Sequence, residues 1–231
     1  MRLRAVPRPD GKKGCWDEER VVEWRDVKRA AQLSGTTTHI GRIFAICVEK
    51  NSELEPEKRK FKGRAVFGGD QVRDECGNWA MFQDLGSCPA TMDAARAGDV
   101  YGCLPGHATE QSDAEQAYTQ AMLVGTETWV RIPPEQWPAS WAGKSDPVCP
   151  LILALYGHPD SGGHWEAHCE KHLLEAGFVP ITSWRSCFWH PRLELFLVVY
   201  VDDFKLSGPA GHLAEGWKLI RSSIKTDEPH P

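Results

Sequence analysis

LFLVVYVDDFKLSG, residues 195–208, decides how this chain is to be read. An apolar and aromatic run through Tyr200 leads almost directly into the acid pair Asp202 and Asp203, and a second short run, Phe204 to Leu206, closes on Ser207 and Gly208. β-branched and aromatic residues on both sides of a short polar centre predict a β-hairpin with two carboxylates at its tip. Adjacent acids repel each other, so the arrangement is costly unless a cation neutralises them. The plainer reading is an acidic turn, since Asp is an ordinary turn residue. The hairpin alone leaves both readings open.

The wider sequence separates them. Tyr200-Val201-Asp202-Asp203 in a hydrophobic hairpin resembles the catalytic hairpin of reverse transcriptases. Upstream, Asp113 is followed five residues later by Tyr118, the spacing of a third carboxylate and an aromatic in that family. Between the two lie Ala154-Leu155-Tyr156-Gly157, then Ser161 and Trp165, where copia-type retrotransposon polymerases carry ALYG, a Ser and a Trp. Three matches in order are far more specific than one. The resemblance covers roughly residue 42 to the C-terminus and is strongest over 151–208.

That resemblance implies an α+β reverse-transcriptase right-hand fold, with fingers and an antiparallel palm sheet backed by helices, and the thumb lacking. It divides the chain into an N-terminal extension with one helix (1–39), a fingers-like part (40–100) and a palm-like part carrying the hairpin (101–231). The implied function is that of an RNA-directed DNA polymerase module of a copia-type polyprotein. Asp113, Asp202 and Asp203 would be the catalytic and metal-holding acids: Asp113 and Asp202 bridge two Mg²⁺ ions, with Mn²⁺ as an alternative, roughly 3.5–4 Å apart as in two-metal phosphoryl-transfer sites, and Asp203 supplies further charge. Carboxylates suit the task because Mg²⁺ takes hard oxygen ligands and keeps several waters.

KGRAVFGG, from Lys62, resembles the fingers hairpin whose basic residues reach the incoming triphosphate; Arg64, with Lys62 next in line, would clamp phosphate. A guanidinium binds phosphate oxygens through two parallel hydrogen bonds. By the same resemblance Tyr156 and Gly157 line the nucleotide site, and Tyr118 lies under the sugar and excludes a 2′-hydroxyl, the group that separates ribo- from deoxyribonucleotides. The partners implied are an RNA or DNA template with its primer, deoxynucleoside triphosphates and the remaining polyprotein domains.

Two departures cut against activity. Where the family usually has a Lys-Gln-Ser-Pro-like stretch, this chain reads Pro159-Asp160-Ser161-Gly162, so a basic residue expected near the triphosphate has become Pro159, with the acid Asp160 beside it. No thumb is expected after the hairpin helix, and thumb contacts normally add much of the charge neutralisation along the nucleic-acid backbone. A degenerate or repurposed palm that only binds is therefore the alternative. A third reading, a metal-dependent hydrolase using the three acids, leaves Tyr118 and Arg64 without a role.

Composition bounds these readings. The 231 residues, 41% hydrophobic and 26% charged, suffice for a sizeable core. No run approaches the ~18 apolar residues of a membrane span, and the basic, Pro/Gly-rich start carries no signal-like apolar stretch, so an intracellular protein without membrane contact is expected. The eight cysteines form no CxxC pair, which favours a reducing compartment over a disulfide framework. A net charge of −5 argues against binding nucleic acid over the whole surface. It leaves room for a local groove, and Lys58, Arg59, Lys60, Lys62 and Arg64 cluster.

Periodicity predicts a helix over 17–33 ending before Gly35, strands at 43–48 and 62–68, and a short apolar segment at 79–85 followed by a helix over 89–97. It further predicts loops around a short strand at 98–111, a helix over 113–123 capped by Asp113, a strand at 129–132 and a helix over 161–177. A turn at 189–191, a helix over 213–224 and a polar tail from 225 complete the chain. His164, His168 and His172, a helical turn apart on the 161–177 helix, have zinc-like spacing, but HExxH is absent and surface or packing histidines are the better reading.

Overall fold

The computed structural model of the chain describes residues 14–82 and 87–231. In chain order its strands are β1 (Val22–Glu23), β2 (Thr38–Lys50), β3 (Lys60–Phe67), β4 (Arg73–Asp74), β5 (His107–Asp113), β6 (Glu127–Arg131), β7 (Pro147–Pro150), β8 (Val179–Pro180), β9 (Cys187–His190), β10 (Leu195–Tyr200) and β11 (Asp203–Pro209). The helices are α1 (Trp24–Ser34), α2 (Met92–Gly102), α3 (Ser161–Glu175) and α4 (Ala210–Arg221). The fold is α+β, and among the described residues the strands form two sheets. The expectations for residues 1–13 and 83–86 lie outside the described residues.

The chain divides into two compact units, 1–84 with 122–161, and 85–121 with 162–231. This differs from the expected break at 100/101. Residues 122–161 complete the first sheet, because β6 pairs in parallel with β2 and antiparallel with β7. Sheet pairing between segments distant in sequence leaves no mark in composition, so the interleaving was invisible there.

In the first unit the strands run in the order β1-β7-β6-β2-β3, with β4 also on β2. Trp16, Ile43, Phe67, Val130, Trp141 and Leu155 anchor its core. The β2–β3 hairpin forms as expected, longer towards its turn, with Ile43 opposite Phe67 and Lys50 opposite Lys60. The helix expected from residue 17 starts seven residues later. Asp17 instead accepts from Glu19 N in a single 3₁₀ turn, and Val22 and Glu23 pair with β7. Strand pairing overrode helical periodicity there. The far end agrees: Gly35, at φ +67°, closes α1 with its N–H on the Ala31 carbonyl.

The second unit is built on the antiparallel sheet β5-β11-β10-β9-β8. Side chains alternate across it. On one face, Ala94 of α2 packs with Cys187, Phe196 and Val198. On the other, Gly216 of α4 lies against Leu195 and Leu206. With both faces covered, β10 is a continuous apolar run, buried from Leu195 through Val199. Of the loops around a short strand expected over 98–111, residues 103–106 form the turn and the strand is β5, which runs on to Asp113, but 98–102 belong instead to α2. Gly98 and Gly102 are both helical, and at Gly102 α2 sits so close to the sheet that a side chain would collide with Thr109. The expected turn at 189–191 begins later, since Trp189 and His190 pair with Phe196 and Leu195.

The largest correction falls at 113–123. Asp113 caps no helix; it is the last residue of β5, and only a 3₁₀ turn over Ala117–Gln120 follows. Gln116 takes φ +52°, outside any α-helix, and the Asp113 carbonyl that would accept the first helical bond accepts instead from Asp227 N (2.9 Å), while Ala114 N donates to Asp202 O (2.6 Å) and Glu115 N to Lys225 O (3.0 Å). Residues 225–231, the polar tail, are held in place. They run beside β5, where Gln111 and His230 exchange backbone bonds, Asp227 N donates to Asp113 O (2.9 Å) and Ser112 Oγ donates to Asp227 O (2.7 Å).

Candidate functional site

The β10–β11 hairpin closes at the pair Tyr200–Asp203, leaving Val201 and Asp202 as a two-residue loop. Val201 has φ +57°, a region that β-branched residues avoid. Holding a residue there costs on the order of 1–3 kcal/mol and persists only where the surroundings enforce it.

Asp203 opens β11 and Asp113 ends β5, and the two are direct cross-strand partners. Opposed residues share a face, with Cβ atoms roughly 4.5–5.5 Å apart. Asp202 is the preceding residue, in the loop, and its carbonyl is bound by Ala114 N. Burial raises the Asp203 carboxyl above the ordinary aspartate range; the charges of Asp202 and then Asp113 raise it further, as does the hydrogen bond it shares with Asp113 once one of them is protonated. The sheet therefore sets Asp113 and Asp203 directly opposite each other against their mutual repulsion, with Asp202 next in the adjoining loop.

Tyr118 sits on the 3₁₀ turn just after β5. Burial, then the charge of Asp202, raises its phenol, so the hydroxyl stays protonated and the ring lies within electrostatic reach of that acid. On the face of Asp203, two residues along β11, Lys205 donates to Asp99 of α2 at 2.7 Å. The period of two from Asp203 was the available signal for that lysine, and the sequence reading did not use it.

The donor set is suited to a hard cation. Asp113 and Asp203 present only carboxylate oxygens, and a divalent ion between them would relieve the repulsion that raises Asp203. Among the described residues, no group of three or more His, Cys, Asp and Glu side chains is gathered closely enough to hold a metal ion. The opposed pair is the part that fits, with Asp202 beside it.

The other predicted residues belong to the first unit. Arg64 projects from β3 over the Tyr156 ring, 5.9 Å from its centroid. Tyr156 O accepts from Phe67 N at 2.7 Å. Gly157, at φ +89°, passes so near the Phe67 carbonyl that any side chain would overlap it. Ser161 explains how this turn is held: its buried Oγ accepts from Leu155 N (3.0 Å) and donates to Leu155 O (2.8 Å). Arg64, Tyr156 and Gly157 are thus brought together. Lys62 lies two residues along β3, exposed, opposite Val48. Asp160, half-buried, donates its backbone N–H to His158 Nδ1 at 3.2 Å.

The histidines of α3 pack as a ladder. His168 stacks on Trp165 and meets His172 edge-on at 4.5 Å, while His172 Nδ1 lies 3.0 Å from Glu175. Trp165 itself is 2% exposed and donates its indole N–H to Val201 O at 2.6 Å. Its contact with the hairpin loop had no sequence signal beyond its position after Ser161. No helix among the described residues is long and apolar enough to cross a membrane.

No protein-family model matches the chain, and a search of curated proteins finds no match.

Proposed function

We propose that this chain is a template-directed nucleotidyl-transfer module, the fingers and palm of an RNA-directed DNA polymerase resembling the copia type. The observation that carries the reading is the opposed pair Asp113–Asp203, with Asp202 in the adjoining two-residue loop, at the corner of an antiparallel sheet covered on both faces by helices. In the reaction, the primer 3′-oxygen forms a bond to the α-phosphorus of a deoxynucleoside triphosphate. The bond from that phosphorus to the bridging oxygen breaks, pyrophosphate leaves and the hydroxyl proton passes to solvent.

Asp113 and Asp203, with Asp202 beside them, would hold Mg²⁺. When bound there, the ion lowers the pKa of the attacking hydroxyl and offsets charge on the leaving group. Tyr118, its phenol kept neutral by burial and by Asp202, presents a ring where a 2′-hydroxyl would have to fit. Arg64 and Lys62 would bind triphosphate oxygens, and Gly157 leaves backbone accessible beside Tyr156. Template, primer and further polyprotein domains are the partners this function requires.

A second reading, a palm that binds without catalysis, is favoured by one feature. Pro159 and Asp160 form the turn after Gly157, where the family resemblance implies a basic residue. Primer extension on poly(rA)/oligo(dT) with dTTP and Mg²⁺, then Mn²⁺, tests both. The polymerase reading expects extension by the wild type and none by Asp202→Asn. Extension by Asp202→Asn at the wild-type rate refutes it, and no extension by either chain under any metal leaves binding as the function.

A further inference from the structure

The two peptide units flanking Asp202 are each held from outside the hairpin. The carbonyl of Val201, in the peptide leading into Asp202, accepts the Trp165 indole N–H at 2.6 Å. The carbonyl of Asp202, in the peptide leading out, accepts from Ala114 N at 2.6 Å. Both lengths lie at the short end for N–H···O bonds. The loop needs such restraint, because a valine at φ +57° relaxes towards extended backbone when nothing prevents it.

Trp165 is placed to prevent it. It is 2% exposed on α3 and backed by the stacked ring of His168. The next residue, Glu166, anchors that stretch of helix, with its carboxylate accepting from Cys88 N at 3.0 Å and Ser186 Oγ at 3.4 Å. Trp165, Val201, Val199 and Tyr118 line one apolar recess under the loop. A helix that moved would therefore shift the acid loop and the Tyr118 ring together.

We propose that Trp165 is a positioning residue for nucleotidyl transfer: its indole N–H holds the Val201 carbonyl, and so fixes the strained peptide from which Asp202 projects. The assignment deepens the polymerase reading and rests on it for its kinetic arm. Trp165 touches no reacting atom. It acts through the geometry of Val201 and Asp202, and its effect belongs in kcat rather than in nucleotide affinity.

The test compares the wild type with Trp165→Phe, and with benzothienylalanine installed at 165, which keeps the bicyclic shape and lacks only the N–H. Losing the bond should lower kcat for dTTP about tenfold with KM within about twofold. Exchange of the Ala114 and Asp203 amides should quicken about tenfold. Adding Val201→Gly to Trp165→Phe should restore most of kcat, because glycine adopts the positive φ without strain. An unchanged kcat in the benzothienylalanine protein, or a defect in Trp165→Phe that Val201→Gly does not repair, overturns the assignment. If the wild type extends no primer, the polymerase reading fails separately, and amide exchange alone decides the tryptophan. Faster exchange without the indole N–H supports the hold on Val201, and equal exchange overturns it.

Discussion

Asp203→Asn should make the folded protein more stable at neutral pH, although it removes a residue from the candidate site. Asp203 faces Asp113 directly across the strand pair and follows Asp202 in sequence. Two unit charges roughly 5 Å apart repel by about 1 kcal/mol at the dielectric of water, and by several times that in a partly buried setting. Asp203 is exposed, so the lower figure is the one to expect. Its carboxyl is raised in the folded state by burial and by both neighbouring acids. The folded protein therefore holds that proton more tightly than the unfolded chain does. The stabilising contribution is complete below the unfolded pKa and is lost as pH rises through the higher folded value. The Asn variant lacks this loss. Urea unfolding should show it more stable than the wild type by about 1 kcal/mol near pH 7, a midpoint shift of roughly half a molar for a slope of about 2 kcal/mol per molar. The difference should shrink as the pH falls towards that of free carboxylates. Millimolar Mg²⁺ should raise the wild-type midpoint more than that of the variant. An Asn variant that is no more stable near neutral pH, or an advantage that persists undiminished in acid, refutes the reasoning.

Three further outcomes follow from particular contacts. Ser161→Ala strips two partners from the buried backbone of Leu155 and should cost about 2–3 kcal/mol, read as a lower urea midpoint. Gly157→Ala combines an unfavourable φ with overlap on the Phe67 carbonyl and should cost about 2–4 kcal/mol, while Gly125→Ala, at similar φ with open space around it, should cost about 1 kcal/mol by the same thermal or urea measurement. Tyr118→Val should let the chain incorporate rUTP opposite poly(rA), and a variant as selective as the wild type argues against a gate at 118.

The hairpin and its acids were legible because they rest on local patterns. The apolar run of β10 and the acid pair at its end specify their own pairing, and β2 and β3 announce themselves similarly. Gly35 marked the end of α1 because a left-handed cap needs it. What escaped was decided by partners far away in sequence. The helical spacing of Ala114, Ala117 and Ala121 is real, but Asp227 N takes the Asp113 carbonyl that would accept the first helical bond, and Gln116 turns to φ +52°. Gly102 looked like a loop residue because nothing local says that a sheet will press against it. Asp113 and Tyr118 were found by their spacing from each other, whereas the bond from Trp165 to Val201 joins residues 36 apart and leaves no local pattern.

The segment 225–231 beside β5 bears on how this chain behaves in a crowded solution. β5 is seven residues long and ends the order of its sheet, and a bare strand of that kind is a template for pairing with another chain. The bridges Gln111–His230 and Ala114–Thr226 occupy that template from within the same molecule. A chain cut after Ile224 would keep its acids and lose this cover, and its first failure would be self-association through β5 rather than loss of the hairpin.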